Sequence, residues 1–153
     1  RQQSIIKALE QLYDNIGDDT YSDVVESFIR IGPGSDVDSE LRDQPAIFAY
    51  FGLLAARATD DMDALEAAVA QREAELHLSY ISDQISTGHK KPTAKDIEAY
   101  INTDAQLTSL QVKLKFSKYR VTLFKKLGLA LEHRKDMLVQ LSANKRNEIK
   151  LHH

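Results

Sequence analysis

The sequence predicts an all-α protein built on a long antiparallel helical hairpin, coiled-coil-like in its spacing, with two short helices at the N-terminus. Apolar residues recur at alternating steps of three and four through two stretches of about 40 residues, as in helices that pack along one side. Most of the six Gly and three Pro residues fall near the ends of these stretches, where helices start and stop. No segment shows the period-two alternation of a strand.

Two short helices are predicted first, over residues 4–16 and 20–31, and residues 1–35 are treated as a separate N-terminal segment. An acidic loop, "GPGSDVDSELRD", follows them. The first long helix is predicted from about residue 44 to 86. Asp43 is its expected N-cap, and Pro45 then falls in the first turn, where its missing N–H is harmless.

The connector "TGHKKP" separates the two long helices. After it, Thr93 with Asp96 predicts a capping box for a short helix over 94–102. Thr103 with Gln106 predicts another, opening a second long helix that runs to about residue 147. Because the connection is short, the two long helices are expected to lie antiparallel.

The predicted hairpin domain covers residues 36–148. The last residues, 149–153, end in "LHH" and are interpreted as a tail left by an expression tag.

Several classes of function are excluded because the residues or motifs that they require are absent from this sequence. There is no Cys, which excludes disulfides and Cys-based zinc sites. The sequence contains no GxxxxGK[ST], GxGxxG or HExxH motif and no pair of ExxH motifs. We therefore expect a non-enzymatic protein with no catalytic residues, no cofactor and no metal. No apolar run approaches ~18 residues, so no membrane partner is expected, and the predicted location is the cytoplasm.

Charge divides the chain into two opposite halves. Residues 1–85 carry a net charge of −11 and residues 86–153 carry +8, within an overall charge of −3. Such asymmetry favours an anionic partner for the second half. The alternative is that an acidic helix packs against a basic helix.

The stretch "KLKFSKYRVTLFKK", residues 113–126, holds six basic and three aromatic residues and no acidic one. At 100° per residue, its apolar side chains and its lysines fall on different faces of a helix. The apolar side is wider than one hairpin partner can cover, so the N-terminal helices or another subunit must cover the rest, and we expect a homo-oligomer. The predicted packing and oligomerisation residues are Leu110, Leu114, Phe116, Tyr119, Val121, Leu123, Phe124 and Leu127.

The lysine side is a candidate surface for phosphates. Between Asp104 and Glu132 there is no acidic residue, and backbone phosphates need only positive groups on a common face. The alternative for each single lysine is a solvated helix face.

The order of features resembles the UvsY-type recombination mediators of tailed bacteriophages over about residues 40–148. The resemblance begins in "LRDQPAIFAYFGLLAARATDDMDALEAAVAQREAEL", continues in "KKPTAKDIEAYINTDAQL" and closes in "ALEHRKDMLVQLSANKRNE". It implies helical hairpins assembled into a ring-like oligomer. It also implies binding of single-stranded DNA and help to a strand-exchange recombinase in displacing the single-strand-binding protein.

In that family, DNA binding is concentrated on basic residues late in the first long helix. The matching stretch here, "QREAELHLSY", retains Arg72 but has His77 and Ser79 where further basic residues are expected. This departure shifts the predicted site toward the connector and the second long helix. The predicted DNA-binding residues are Arg72, Lys90, Lys91, Lys113, Lys115, Lys118, Arg120, Lys125 and Lys126.

The resemblance implies a phage-encoded protein in the host cytoplasm. The rival hypothesis is a structural coiled-coil protein of a phage, such as an assembly or scaffolding chaperone. In that hypothesis the basic helix makes contacts between subunits.

Overall fold

The computed structural model describes residues 2–15 and 17–152, and it confirms the all-α helical hairpin. Two long helices, α3 and α5, pack together, and no strand occurs among the described residues. The elements are α1 (Gln2–Asp14), α2 (Asp18–Val24), a π-helical turn (Val25–Ile29), α3 (Val37–Ser86), α4 (Ala94–Asn102) and α5 (Ala105–Leu151).

The short N-terminal helices form close to where the sequence places them. The buried side of α1 carries Ile5, Leu9 and Leu12, spaced as an amphipathic helix requires. The predicted last residue of this helix, Ile16, lies outside the described residues. The second predicted helix ends early as an α-helix and finishes in the π turn, where the Arg30 N–H donates to the Val25 carbonyl at 3.0 Å.

The first long helix begins seven residues before the prediction, so part of the expected acidic loop is helical. Asp43 is not its N-cap. Asp36 is, because its Oδ1 accepts a hydrogen bond from the Ser39 N–H at 3.3 Å. Pro45 consequently lies inside α3, where it removes one i→i−4 hydrogen bond. The turns before it are held by Glu40, which is buried against α5.

The chain divides into two compact units, and α3 and α5 run through both. Unit 1 comprises Arg1–Ala58 and Arg120–His153, and unit 2 comprises Thr59–Tyr119. In unit 1, Tyr13 of α1 meets Phe124 of α5 edge-on at 5.7 Å, and Phe51 of α3 stacks on Phe124 at 5.8 Å. The N-terminal helices therefore cover this part of the wide apolar side of α5.

Unit 2 contains the connector, α4 and the adjoining parts of the long helices. The predicted capping box is confirmed: the Asp96 N–H donates to Thr93 Oγ1 and the Thr93 N–H donates to Asp96 Oδ2. The predicted cap of α5 is wrong by one residue. Asp104 rather than Thr103 caps it, because Asp104 Oδ2 accepts a hydrogen bond from the Leu107 N–H at 2.8 Å.

The C-terminal end of α5 extends beyond the predicted limit at about residue 147. The helix continues to Leu151, so residues 149–151 of the predicted tail are helical. Lys150 lies in its last turn, where a positive charge is favourable beside the exposed carbonyl groups.

Candidate nucleic-acid interface

The predicted basic residues occupy three places. The first is the connector, the second is the part of the long helices in unit 2, and the third is the part of α5 in unit 1. Their surroundings differ, and those surroundings decide which positive charges face solvent.

In the connector, Lys90 and Lys91 follow a hydrogen-bonded turn at the end of α3. The His89 N–H donates to the Gln84 carbonyl at 3.0 Å, and the Gly88 N–H donates to the Ile85 carbonyl at 3.1 Å, which is the Schellman pattern at the end of a helix. Gly88 has a φ of +78°, a left-handed conformation that favours glycine. Both lysines follow directly and are exposed.

Arg72 is engaged within unit 2. Its Nε donates to Asp104 Oδ2 and its Nη2 to Asp104 Oδ1, each at 3.0 Å. Its Nη1 lies 3.6 Å from a carboxylate oxygen of Glu75. The guanidinium is therefore held by two carboxylates instead of being presented to a phosphate, a role that the sequence analysis did not assign to Arg72.

The unit 2 part of α5 carries three of the predicted lysines. Lys113 and Lys115 are exposed. Lys118 lies 3.9 Å from Glu66 of α3, with both side chains about half exposed. An exposed pair of this kind contributes little to stability, about 0–1 kcal/mol. Lys118 nevertheless differs from Lys113 and Lys115, because an acidic side chain lies beside it.

In unit 1, Arg120 lies against a tyrosine ring. Its guanidinium carbon is 4.6 Å from the centre of the Tyr13 ring, and that of Arg57 is 4.8 Å from the same centre, which is cation–π distance. Arg120 is only partly exposed, and its Nε is buried without a hydrogen-bond partner. Sequence reasoning missed Arg57 because only the fold brings it beside α5.

Lys125 and Lys126 are the exposed basic residues of the predicted set in unit 1. Among the described residues, neither forms an ion pair, and the same holds for Lys90, Lys91, Lys113 and Lys115. Six of the nine predicted residues are thus exposed and unneutralised.

The predicted packing residues separate into two groups. Val121, Leu123, Phe124 and Leu127 are buried in unit 1. Leu110 and Leu114 are partly buried in unit 2, whereas Phe116 is 61% exposed and Tyr119 is 38% exposed. Phe116 is therefore not packed in the interior of unit 2, and its predicted role in packing or oligomerisation stays a prediction about contacts with another subunit.

Arg134 is a buried charge outside the predicted DNA-binding set. Its side chain is 2% exposed, its Nη1 donates to Gln44 Oε1 at 2.7 Å, and its Nη2 donates to Glu40 Oε2 at 2.5 Å. The Gln44 amide in turn donates to the Leu131 carbonyl at 3.2 Å. Arg134 therefore belongs to the interior of unit 1. The next residue along α5, Lys135, is exposed.

The described residues also bear on metal binding and on membrane insertion. No cluster of three or more His, Cys, Asp or Glu side chains in that part of the chain is placed to bind a metal ion. None of its helices combines the length and the apolar character needed to cross a bilayer.

Comparison with known proteins gives no assignment: no family model, no curated protein and no solved structure matches this chain.

Proposed function

We propose that this chain is a non-enzymatic recombination mediator of the UvsY type. It binds single-stranded DNA and promotes loading of a strand-exchange recombinase in place of the single-strand-binding protein. The observation that carries the proposal is the acid-free basic surface of α5 in unit 1, where Lys125 and Lys126 are exposed and, among the described residues, have no neutralising carboxylate. In unit 2, Lys113 and Lys115 of the same helix are also exposed. The order of sequence features between residues 40 and 148 supports it.

The chemistry of such a surface suits a phosphate backbone. Lysine is a point charge that tolerates many approach directions, and single strands are bound mainly by charge neutralisation and counterion release. Repeating these weak contacts around an oligomer would raise the overall affinity by avidity.

Binding of a fluorescent oligo-dT strand, followed by anisotropy at several salt concentrations, tests the proposal. Lys125→Gln with Lys126→Gln should lower the slope of log affinity against log salt by about 1.4, since each phosphate contact on a single strand contributes about 0.7. The matched control is Lys7→Gln with Arg42→Gln, which removes two exposed positive charges from α1 and α3 of the same unit. The control should keep the wild-type slope.

A second assay tests the mediator step itself. With single-stranded DNA already covered by the single-strand-binding protein, the chain should restore ATP hydrolysis by a strand-exchange recombinase. Absence of oligo-dT binding at ~50 mM salt, where electrostatic binding is strong, would end the DNA proposal.

One observation favours the second candidate, a structural or assembly protein whose basic helix contacts other subunits. The apolar surface at Phe116 lies between lysines and is open to solvent. In this case light scattering would show assembly while oligo-dT binding would be absent.

A further inference from the structure

Unit 2 contains an open cleft between α3 and α4, with a volume of about 810 Å³. We name it the α3–α4 cleft, and its lining is mostly small or apolar side chains but includes two glutamates. The lining residues that matter here are Ala70, Glu73, Ala74, Leu78, Ile97 and Glu98. The alanines leave room on the α3 side, and Leu78 is 69% exposed.

The helix that forms the second wall of the cleft is poorly covered. No residue of α4 is buried, although Ile97 lies on its apolar side and lines the cleft. The helix is secured by its capping box and by the stacking of Tyr100 on Tyr80, whose ring centres are 4.4 Å apart. A firmly placed helix with an uncovered apolar side is typical of a surface that is completed by another molecule.

The cleft has an acidic lining. Glu73 comes from α3 and Glu98 from α4, and both are exposed. In the described part of the chain, neither is paired with a Lys or Arg. An occupant with positive charges beside its apolar group would therefore be favoured over one with negative charges.

The same unit presents a surface with those properties. Val112, Phe116 and Tyr119 are spaced by four and three residues along α5 and are 51%, 61% and 38% exposed. On a helix this spacing makes one continuous ridge, which we name the Phe116 ridge. Lys113 and Lys115 lie on its two sides and are exposed.

We propose that the Phe116 ridge of one copy of this chain packs into the α3–α4 cleft of a second copy, with Lys113 and Lys115 facing Glu73 and Glu98. A second copy is the occupant because the chain itself carries an exposed apolar ridge flanked by two lysines, which matches the apolar cleft and its two glutamates. The two surfaces differ, so the contact is heterologous, and each added copy offers a new cleft and a new ridge.

This inference does not rest on DNA binding, although it supplies a surface for the self-association included in the proposed function. It assigns Lys113 and Lys115 to contacts between copies. Lys90, Lys91, Lys125 and Lys126 then remain for phosphates.

Two variants, measured by light scattering after size exclusion, test the contact. Phe116→Asp removes the ridge, and Glu73→Lys with Glu98→Lys reverses the charge of the cleft. Each is expected to weaken self-association at least about tenfold, because a desolvated charge or like charges across the contact cost more than about 1.4 kcal/mol. Leu129→Asp is the matched control, since Leu129 is also exposed on α5, at 58%, but lies in unit 1.

Mixing the two variants gives the decisive measurement. Each variant keeps one intact surface, so an equimolar mixture should contain assemblies of two chains and none larger. Lys113→Glu with Lys115→Glu should also disrupt self-association, and adding it to the cleft variant should restore the wild-type mass by exchanging the charges.

The proposal is overturned if the wild type has the mass of one chain up to its solubility limit, or if Phe116→Asp keeps the wild-type mass. Far-UV circular dichroism on each variant establishes that a change in mass occurs in folded protein. Loss of assembly with retained oligo-dT binding leaves the DNA proposal intact. Retained assembly without oligo-dT binding ends the DNA proposal alone.

Discussion

Arg72 of α3 and Asp104, at the start of α5, form a bidentate ion pair in which both N···O distances are 3.0 Å. The same Asp104 carboxylate accepts a hydrogen bond from the Leu107 N–H. One side chain thus caps α5 and ties it to α3 within unit 2. A lysine could not reproduce the pair, because a planar guanidinium matches both carboxylate oxygens at once.

This pair predicts a pH-dependent contribution to stability. The hydrogen bond from Arg72, followed by that from the Leu107 N–H, lowers the pKa of Asp104 below its ordinary value. A lowered folded-state pKa stabilises the protein above the unfolded value of about 3.9, and this stabilisation is lost as pH falls through the folded pKa. Arg72→Gln should therefore be less stable than the wild type at neutral pH, with a smaller difference in strong acid.

Urea unfolding of both proteins at neutral and strongly acidic pH measures that difference. Thr93 also lowers the pKa of Asp96, but this effect is common to the two proteins and cancels in the comparison. An equal difference in unfolding free energy at both pH values would contradict the assigned role of the ion pair.

The buried Arg134 predicts a large effect of a single substitution. Arg134→Met leaves the Glu40 carboxylate in the interior of unit 1 without its cation, and should lower the unfolding free energy by about 3 kcal/mol. The neighbouring Lys135 is exposed, so Lys135→Met is the control and should change stability by less than about 0.5 kcal/mol.

A second substitution separates the cost of the lost pair from the cost of lost packing. Adding Glu40→Leu to Arg134→Met removes the isolated buried charge and should recover most of the lost stability. If the double variant is as unstable as the single one in urea unfolding, packing rather than charge explains the loss.

Gly128 predicts a coupling between two helices of unit 1. A Cβ at this position would lie 3.1 Å from Cε1 and 3.2 Å from Cζ of Phe51, and the Phe51 ring is held by stacking on Phe124. Gly128→Ala gains up to about 1 kcal/mol of helix propensity but overpacks this site, which costs about 1–3 kcal/mol. We expect a net loss of about 1 kcal/mol.

A double-mutant cycle with Phe51→Leu tests the coupling. Once the ring is removed, the alanine should stabilise the protein relative to glycine in the same background. Additive effects of the two substitutions on the unfolding free energy would show that Phe51 does not limit residue 128.

Thr93 predicts a local effect on α4. Because no residue of this helix is buried, its first turn depends on the capping box, and loss of an N-cap costs about 1 kcal/mol. Thr93→Ala should lower the hydrogen-exchange protection of the α4 amides about fivefold while leaving α1 unchanged. A uniform loss of protection across the chain would indicate global rather than local destabilisation.

The sequence by itself determined the fold class and much of its detail. Apolar spacing predicted the two long helices, and the Thr93–Asp96 pair located α4 correctly, because capping depends on residues within one turn. The separation of lysines from aromatics along 113–126 followed from helix periodicity alone. The sequence also supplied the nine predicted basic residues, from which the structure separates the six exposed lysines that lack an ion pair among the described residues.

Only the tertiary structure decided which residues of the same type are buried and which are exposed. Phe116 and Phe124 lie on apolar sides of the same helix, yet one is exposed and the other is covered by Tyr13 and Phe51. Arg72 and Arg134 could not be distinguished from solvated arginines, since their partners lie 32 and 90 or more residues away. The sequence placed the start of α3 too late because Glu40, in its first turns, is held by Arg134 of α5, a distant residue. Burial and ion pairing are set by contacts between distant segments, and periodicity within one helix cannot report them.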